Sequence, residues 1–176
     1  MKKIIALSLL LTTFFCGCDD KDYPPYEVKV NIEGEGSVLG DGIYGFGREC
    51  TLKAKTAENS NYKFVGWYNG DVLISRNSEI TEVYNKDMNF RAVFSDNVYS
   101  VKFYYIQKLQ VEYFVVQGDE IYFSAYDLKD WEPLYPFRKW EAIDSKTGNK
   151  VWSSQKPDVK FIPEQNLMIF SDWDMS

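Results

Sequence analysis

Histidine is missing from this 176-residue chain, and with it the commonest general base, the commonest zinc ligand and the usual partner of a nucleophilic serine or cysteine. Cysteine is nearly as scarce. Cys16 and Cys18 fall within a leader and leave Cys50 alone, so no disulfide framework can form. Basic charge is also short: 20 Lys and Arg face 26 Asp and Glu, for a formal charge of −6. No basic run offers a grip on a phosphate backbone, which argues against nucleic-acid partners. From these shortages we expect a protein that is not an enzyme and needs no cofactor or metal.

Aromatic residues are plentiful, at 17% of a chain that is 45% hydrophobic. That is ample material for one or two packed cores and excludes disorder along the whole length.

The chain opens with Met1-Lys2-Lys3, followed by an apolar run from Ile4 to Phe15 that is too short for a comfortable bilayer span. The next residues, Phe15-Cys16-Gly17-Cys18, resemble the lipobox of bacterial lipoprotein signals, with a small residue directly before the cysteine that is lipidated. The resemblance implies cleavage after Gly17, acylation of Cys18 and a signal peptide over 1–17. Each buried methylene of an acyl chain contributes about 0.8 kcal/mol, so two or three chains would hold the protein to a membrane durably. Residues 18–25, with Asp19, Asp20, Asp22 and the pair Pro24-Pro25, read as an acidic tether of roughly 25 Å at most. Acidic residues after a lipidated cysteine resemble surface-export signals in some two-membrane bacteria, and an aspartate directly after it resembles an inner-membrane retention signal in others. We expect an outer-membrane anchor facing the cell surface, with the inner membrane or periplasmic face as the alternative.

From Tyr26 the sequence alternates with the two-residue period of half-buried strands: Val28 and Val30 on one face, Glu27 and Lys29 on the other. Gly34-Glu35-Gly36, Gly40-Asp41-Gly42 and Asn69-Gly70-Asp71 supply turn signals between short apolar runs. Gly34 to Gly40 superficially matches a phosphate-cradling loop, but such loops need a helix behind them, and a strand and a second glycine turn follow instead. Cys50, in the alternating stretch Cys50-Thr51-Leu52-Lys53-Ala54, reads as a small buried strand residue.

These residues resemble a known family, the internalin-type B-repeat and its divergent relatives, which occur in tandem on bacterial surface proteins. The resemblance is carried by Tyr26-Glu27-Val28-Lys29-Val30, the glycine-rich hairpin through Gly42, and the spacing of Tyr44, Gly47, Cys50, Leu52 and Ala54. It continues through Tyr62-Lys63-Phe64-Val65-Gly66-Trp67 and closes with Met88 to Phe94. It implies a small β-grasp-like or all-β unit with an adhesive or spacing role and no catalytic residues.

A weaker echo follows. Tyr99-Ser100-Val101-Lys102-Phe103 parallels the opening, Gly118 to Ala125 parallels Gly47 to Ala54, Phe137 to Trp140 parallels Phe64 to Trp67, and Asn166 to Phe170 loosely parallels the Asn89 to Phe94 ending. The fold expectation is therefore mainly β, with two tandem small β-grasp-like or all-β repeat domains after the signal peptide. The first spans 26–96 and a diverged copy spans 97–176, with the boundary at Ser95-Asp96-Asn97. The copy differs at Ile106-Gln107-Lys108-Leu109, which stands where the glycine hairpin was, and by an insertion from Asp127 to Tyr135 that could carry a helical turn capped by Asp127. So short a linker predicts a stiff pair suited to spacing or presentation.

Trp67 and Trp140 occupy matching places and are assigned to the cores. Trp131, Trp152 and Trp173 have no counterpart in the first half, and with Tyr104, Tyr126 and Tyr135 they enrich the second half in flat amphipathic side chains. Trp131, Tyr135, Trp152 and Trp173 are thus the candidate ligand-binding residues, able to stack on sugars or anchor a protein interface, although core filling accounts for them as well. The carboxylates Asp172 and Asp174 lack the spacing and glycine of a calcium loop. The main expectation is a non-catalytic interaction or spacer module, with carbohydrate binding as the alternative.

Overall fold

Alternation along the first strand sets the architecture. In β1 (Tyr26–Glu33), Tyr26 and Val28 point into a core and are 2% and 1% exposed, while Lys29 and Asn31 face solvent. The computed structural model describes residues 23–127 and 136–174. The first unit continues with β2 (Gly36–Leu39), β3 (Gly42–Tyr44), β4 (Glu49–Thr56), β5 (Lys63–Asn69), β6 (Val72–Ser75), β7 (Glu79–Val83) and β8 (Met88–Ser95). After the polar turn Asp96-Asn97 come β9 (Val98–Tyr105), β10 (Lys108–Val116), β11 (Ile121–Ser124), β12 (Phe137–Asp144), β13 (Lys150–Ser154), β14 (Asp158–Phe161) and β15 (Leu167–Trp173). Among the described residues a 3₁₀ turn, Ala125–Asp127, interrupts the second set. The fold is all-β and tandem.

The two units share a strand order. The first has a five-stranded sheet, β3-β1-β8-β5-β6, and the second a five-stranded sheet, β10-β9-β15-β12-β13. In each the first and last strands of the unit pair in parallel at the centre: Val28 lies opposite Met88, and Val101 opposite Leu167. Parallel neighbours require a crossover connection. Among the described residues the crossover strands form a small sheet that closes the core: β2-β4-β7 in the first unit, β11-β14 in the second. Cys50 and Leu52 on β4 face inward, as do Ile121 and Phe123 on β11.

The likeness extends to single bonds. Trp67 and Trp140 are each 0% exposed, and the indole N–H of each donates to a loop carbonyl at 2.9 Å, Trp67 to Asn77 and Trp140 to Pro157. Each tryptophan is paired across its ladder with a serine, Ser75 or Ser154, whose Oγ accepts from the backbone N–H two residues on at 3.1 Å. The rings of Phe64 and Trp67 lie 5.2 Å apart, tilted by 59°; those of Phe137 and Trp140 lie 5.3 Å apart, tilted by 55°. A buried indole N–H without an acceptor costs about 1–3 kcal/mol, so each unit bends a loop back to supply one.

Differences fall where the sequences part. Among the described residues the second unit has no strand equivalent to β2. The missing glycines do not abolish a hairpin at Ile106: β9 and β10 pair directly through a tight turn in which Ile106 and Gln107 take φ of 43° and 62°. A two-residue turn matching the strand twist demands positive φ at both central positions, and here it is imposed on a β-branched residue. The helical turn expected after Asp127 falls outside the described residues; a 3₁₀ turn, Ala125–Asp127, precedes it, with the Asp127 carboxylate accepting from the Ser124 N–H at 3.2 Å. The remainder of the insertion lies outside the described residues.

Candidate functional site

Of the four candidate ligand-binding aromatics, Trp131 and Tyr135 lie outside the described residues, as does Cys18. Trp173 is a core residue, 5% exposed, with its ring edge-on to Phe137 at 5.2 Å and to Tyr105 at 6.2 Å. It does have a counterpart in the first unit. Trp173 pairs with Phe137 on the ladder as Phe94 pairs with Phe64, so it fills the place of Phe94 and is not the surface ring a sugar platform needs. The ladders align β15 with β8 three residues further along than the sequence comparison does, because the looser ending disguised the match.

Trp152 differs. It lies on the edge strand β13 opposite Ala142, half-buried, with its ring 5.1 Å from Phe161. The two rings border a shallow groove of ≈ 430 Å³ whose other walls include Ser154, Lys156, Asp158 and Lys160. Tyr104 stacks on Phe170 at 4.9 Å on the outer face of the five-stranded sheet, and Tyr126 is 59% exposed. Tyr122, which the sequence reading did not single out, is 60% exposed and overlooks the boundary between the units.

That boundary holds the most unusual charged group. Arg76, just beyond β6, is half-buried, and its guanidinium donates to the carbonyls of Val65 at 3.2 Å, Phe114 at 3.5 Å and Glu120 at 3.4 Å. Burial holds its pKa below the ordinary arginine range, an effect opposed by Tyr68, Asp119 and Tyr113. Grooves of ≈ 360 Å³ and ≈ 540 Å³ flank it, each walled by residues of both units. Lys63 lies over the Phe114 ring at 5.9 Å from its centroid, a second contact between the units. Arg76 carries no motif, so no sequence signal marked it beyond its place next to a turn.

Cys50 is 1% exposed, its thiol directed at the Gly40 carbonyl at 3.6 Å, and burial pushes its pKa up, against a smaller opposing effect of Tyr44. A thiol so placed is a packing group. The Tyr44 hydroxyl donates to the same carbonyl. Gly40, at φ +97°, thus closes a tight corner between β2 and β3, where a Cβ would overlap the Thr51 carbonyl oxygen. Every glycine-rich turn from Gly34 to Gly42 leads into a strand. Among the described residues no cluster of three or more metal-ligating side chains forms.

Two small all-β units with dry aromatic cores, the same central parallel pair and a shared boundary define a tandem repeat module. Residues 26–98, the span of the first unit, match the family model described as the divergent InlB B-repeat domain. No curated protein and no solved structure matches the chain.

Proposed function

We propose that the chain is a lipid-anchored, non-catalytic module of the bacterial cell surface, which spaces or presents a binding face on two B-repeat-like domains. The single observation that supports this most is the B-repeat match over 26–98, together with a second unit that repeats the first one's strand order and tryptophan bonds. We read the second unit as a diverged copy on that basis. Repeat units of this kind place stability in stacked aromatic cores and leave outer faces and turns free to vary, which suits presentation better than chemistry. The anchor is Cys18, with the outer membrane as its site and residues 18–25 as the tether. Metabolic labelling with an alkyne-bearing palmitate tests this: the native chain should incorporate label and be shaved from intact cells by added protease, and Cys18→Ser should lose both the label and the membrane association. Labelling that persists in Cys18→Ser would overturn the anchor.

Carbohydrate binding is a second reading, favoured by the Trp152–Phe161 groove with its hydroxyl and lysine walls. With Trp173 in the core, that reading now rests on Trp152 among the described residues. A glycan array probed with the full chain and with Trp152→Ala decides it; no signal lost on substitution removes the reading.

A further inference from the structure

We infer that Arg76 is the strut that fixes the angle between the two domains, one guanidinium being shared by carbonyls of both. The inference deepens the spacer reading above by naming the group that makes the pair stiff. Three observations carry it. The guanidinium reaches Val65 O on β5 of its own domain and, across the boundary, Phe114 O on β10 and Glu120 O just before β11. Those three acceptors lie on separate elements, so satisfying them together fixes the position of the second domain in more than one direction. Carbonyl acceptors are also all it has: among the described residues no carboxylate lies within ion-pairing distance of Arg76, whereas Arg91 pairs with Glu33 and Lys160 with Glu120. Asp119 of the second domain acts on this half-buried cation only from beyond contact distance, so its donors depend on the carbonyls, and swinging the domains apart would strip acceptors from a charge already partly removed from water.

The second domain supplies the control. Trp67 pairs with Ser75 and Trp140 with Ser154, so Gln155 stands where Arg76 stands in the first domain. The unit therefore folds with a neutral residue at this position, and arginine there serves something outside the unit. The grooves of ≈ 360 Å³ and ≈ 540 Å³ on either side of Arg76 mean that the boundary is not sealed by continuous apolar packing. The remaining ties are light. Lys63 lies over the Phe114 ring across the boundary, and the short turn Asp96-Asn97 joins the units through the backbone. Such ties hold the ends of the hinge close but leave its angle free, which the planar fork of Arg76 does not.

The test uses the full chain in detergent micelles, spin-labelled at Lys53→Cys in the first domain and Lys146→Cys in the second, both exposed positions. Electron–electron distance distributions are compared for native Arg76, Arg76→Gln and Arg76→Lys. A control pair at Lys53→Cys and Asp71→Cys lies within the first domain. We expect a narrow interdomain distribution for the native chain, about twice as broad in Arg76→Gln and nearly as broad in Arg76→Lys, which keeps the charge but loses the fork, with the control pair unchanged. An interdomain distribution equally narrow in all three, or broad already in the native chain, overturns the inference. Either result leaves the anchoring and binding assays untouched, so failure of the strut and failure of the proposed function are separable.

Discussion

Replacing Trp67 or Trp140 by phenylalanine perturbs the bond that both domains build in the same way. Each indole is 0% exposed and donates one 2.9 Å hydrogen bond to a loop carbonyl. The substitution keeps an aromatic ring but removes that bond, worth about 1 kcal/mol net; in the first domain it also strips the Asn77 carbonyl of the indole donor at a further cost of about 1 kcal/mol, whereas the Pro157 carbonyl still accepts from the Ala125 N–H at 2.9 Å. The smaller ring opens roughly 40 Å³, which at about 24 cal/mol per Å³ adds about 1 kcal/mol. The expected loss is therefore about 3 kcal/mol for Trp67→Phe and about 2 kcal/mol for Trp140→Phe, each a large share of the ~5–15 kcal/mol that holds a small domain folded. Urea titration followed through the backbone amide signals of each domain reads this separately, and the midpoint of the affected domain should fall by about 2 M. Because the two tryptophans sit in separate cores, the double variant should show both losses in full. The reasoning fails if one substitution costs about 3 kcal/mol and the other less than about 1 kcal/mol, since the two bonds would then not be equivalents.

Gly40→Ala, which drives a Cβ into the Thr51 carbonyl at a φ of +97°, should cost about 3 kcal/mol in thermal or urea unfolding, while Gly70→Ala, at φ +59° with open space around it, should cost about 1 kcal/mol. The paired change Ile106→Asn and Gln107→Gly gives the β9–β10 turn residues suited to its positive φ angles and should stabilise the second domain by about 1 kcal/mol; a loss of stability would mean that the turn is not of this type. Alkaline unfolding should depend on Tyr84, whose phenol burial pushes up to about 12 from an ordinary value of 10.0. The folded chain then holds a proton that the unfolded chain releases, so this contribution is fully present below pH 10.0 and is lost as pH rises through about 12. In Tyr84→Phe the fall in stability across that window should be shallower, and an unchanged slope would contradict the assignment.

Much of this architecture is legible in the sequence because the period of two is strict where a strand has one dry face. Val28, Cys50, Leu52 and Trp67 in the first domain, and Val101, Ile121, Phe123 and Trp140 in the second, sit inside as their spacing predicts. The ending of the second domain was harder to place. Nothing local in Leu167 to Trp173 reveals that Trp173 substitutes for Phe94, because the equivalence lies in the pairing with Phe137 across the ladder. The hairpin at Ile106 was hidden for a related reason: its turn conformation is enforced by the register of two long strands and not by the residues in it. Arg76 was invisible because its partners are backbone carbonyls, which every residue possesses, in segments as far along the chain as Phe114 and Glu120. Exposure of Tyr122 and half-burial of Trp152 likewise depend on which edge of a sheet a strand occupies.

The central claim is that residues 98–173 fold with the strand order of residues 26–95. Interstrand nuclear Overhauser effects in the isotopically labelled chain test it most directly. The account predicts cross-peaks of a parallel ladder joining Val101 to Leu167 and Phe103 to Ile169, and of an antiparallel ladder joining Glu141 to Phe170, just as Val28 meets Met88 and Trp67 meets Ala92 in the first domain. Sequential helical contacts across Leu167 to Trp173, or pairing of β15 with any strands other than β9 and β12, would contradict it.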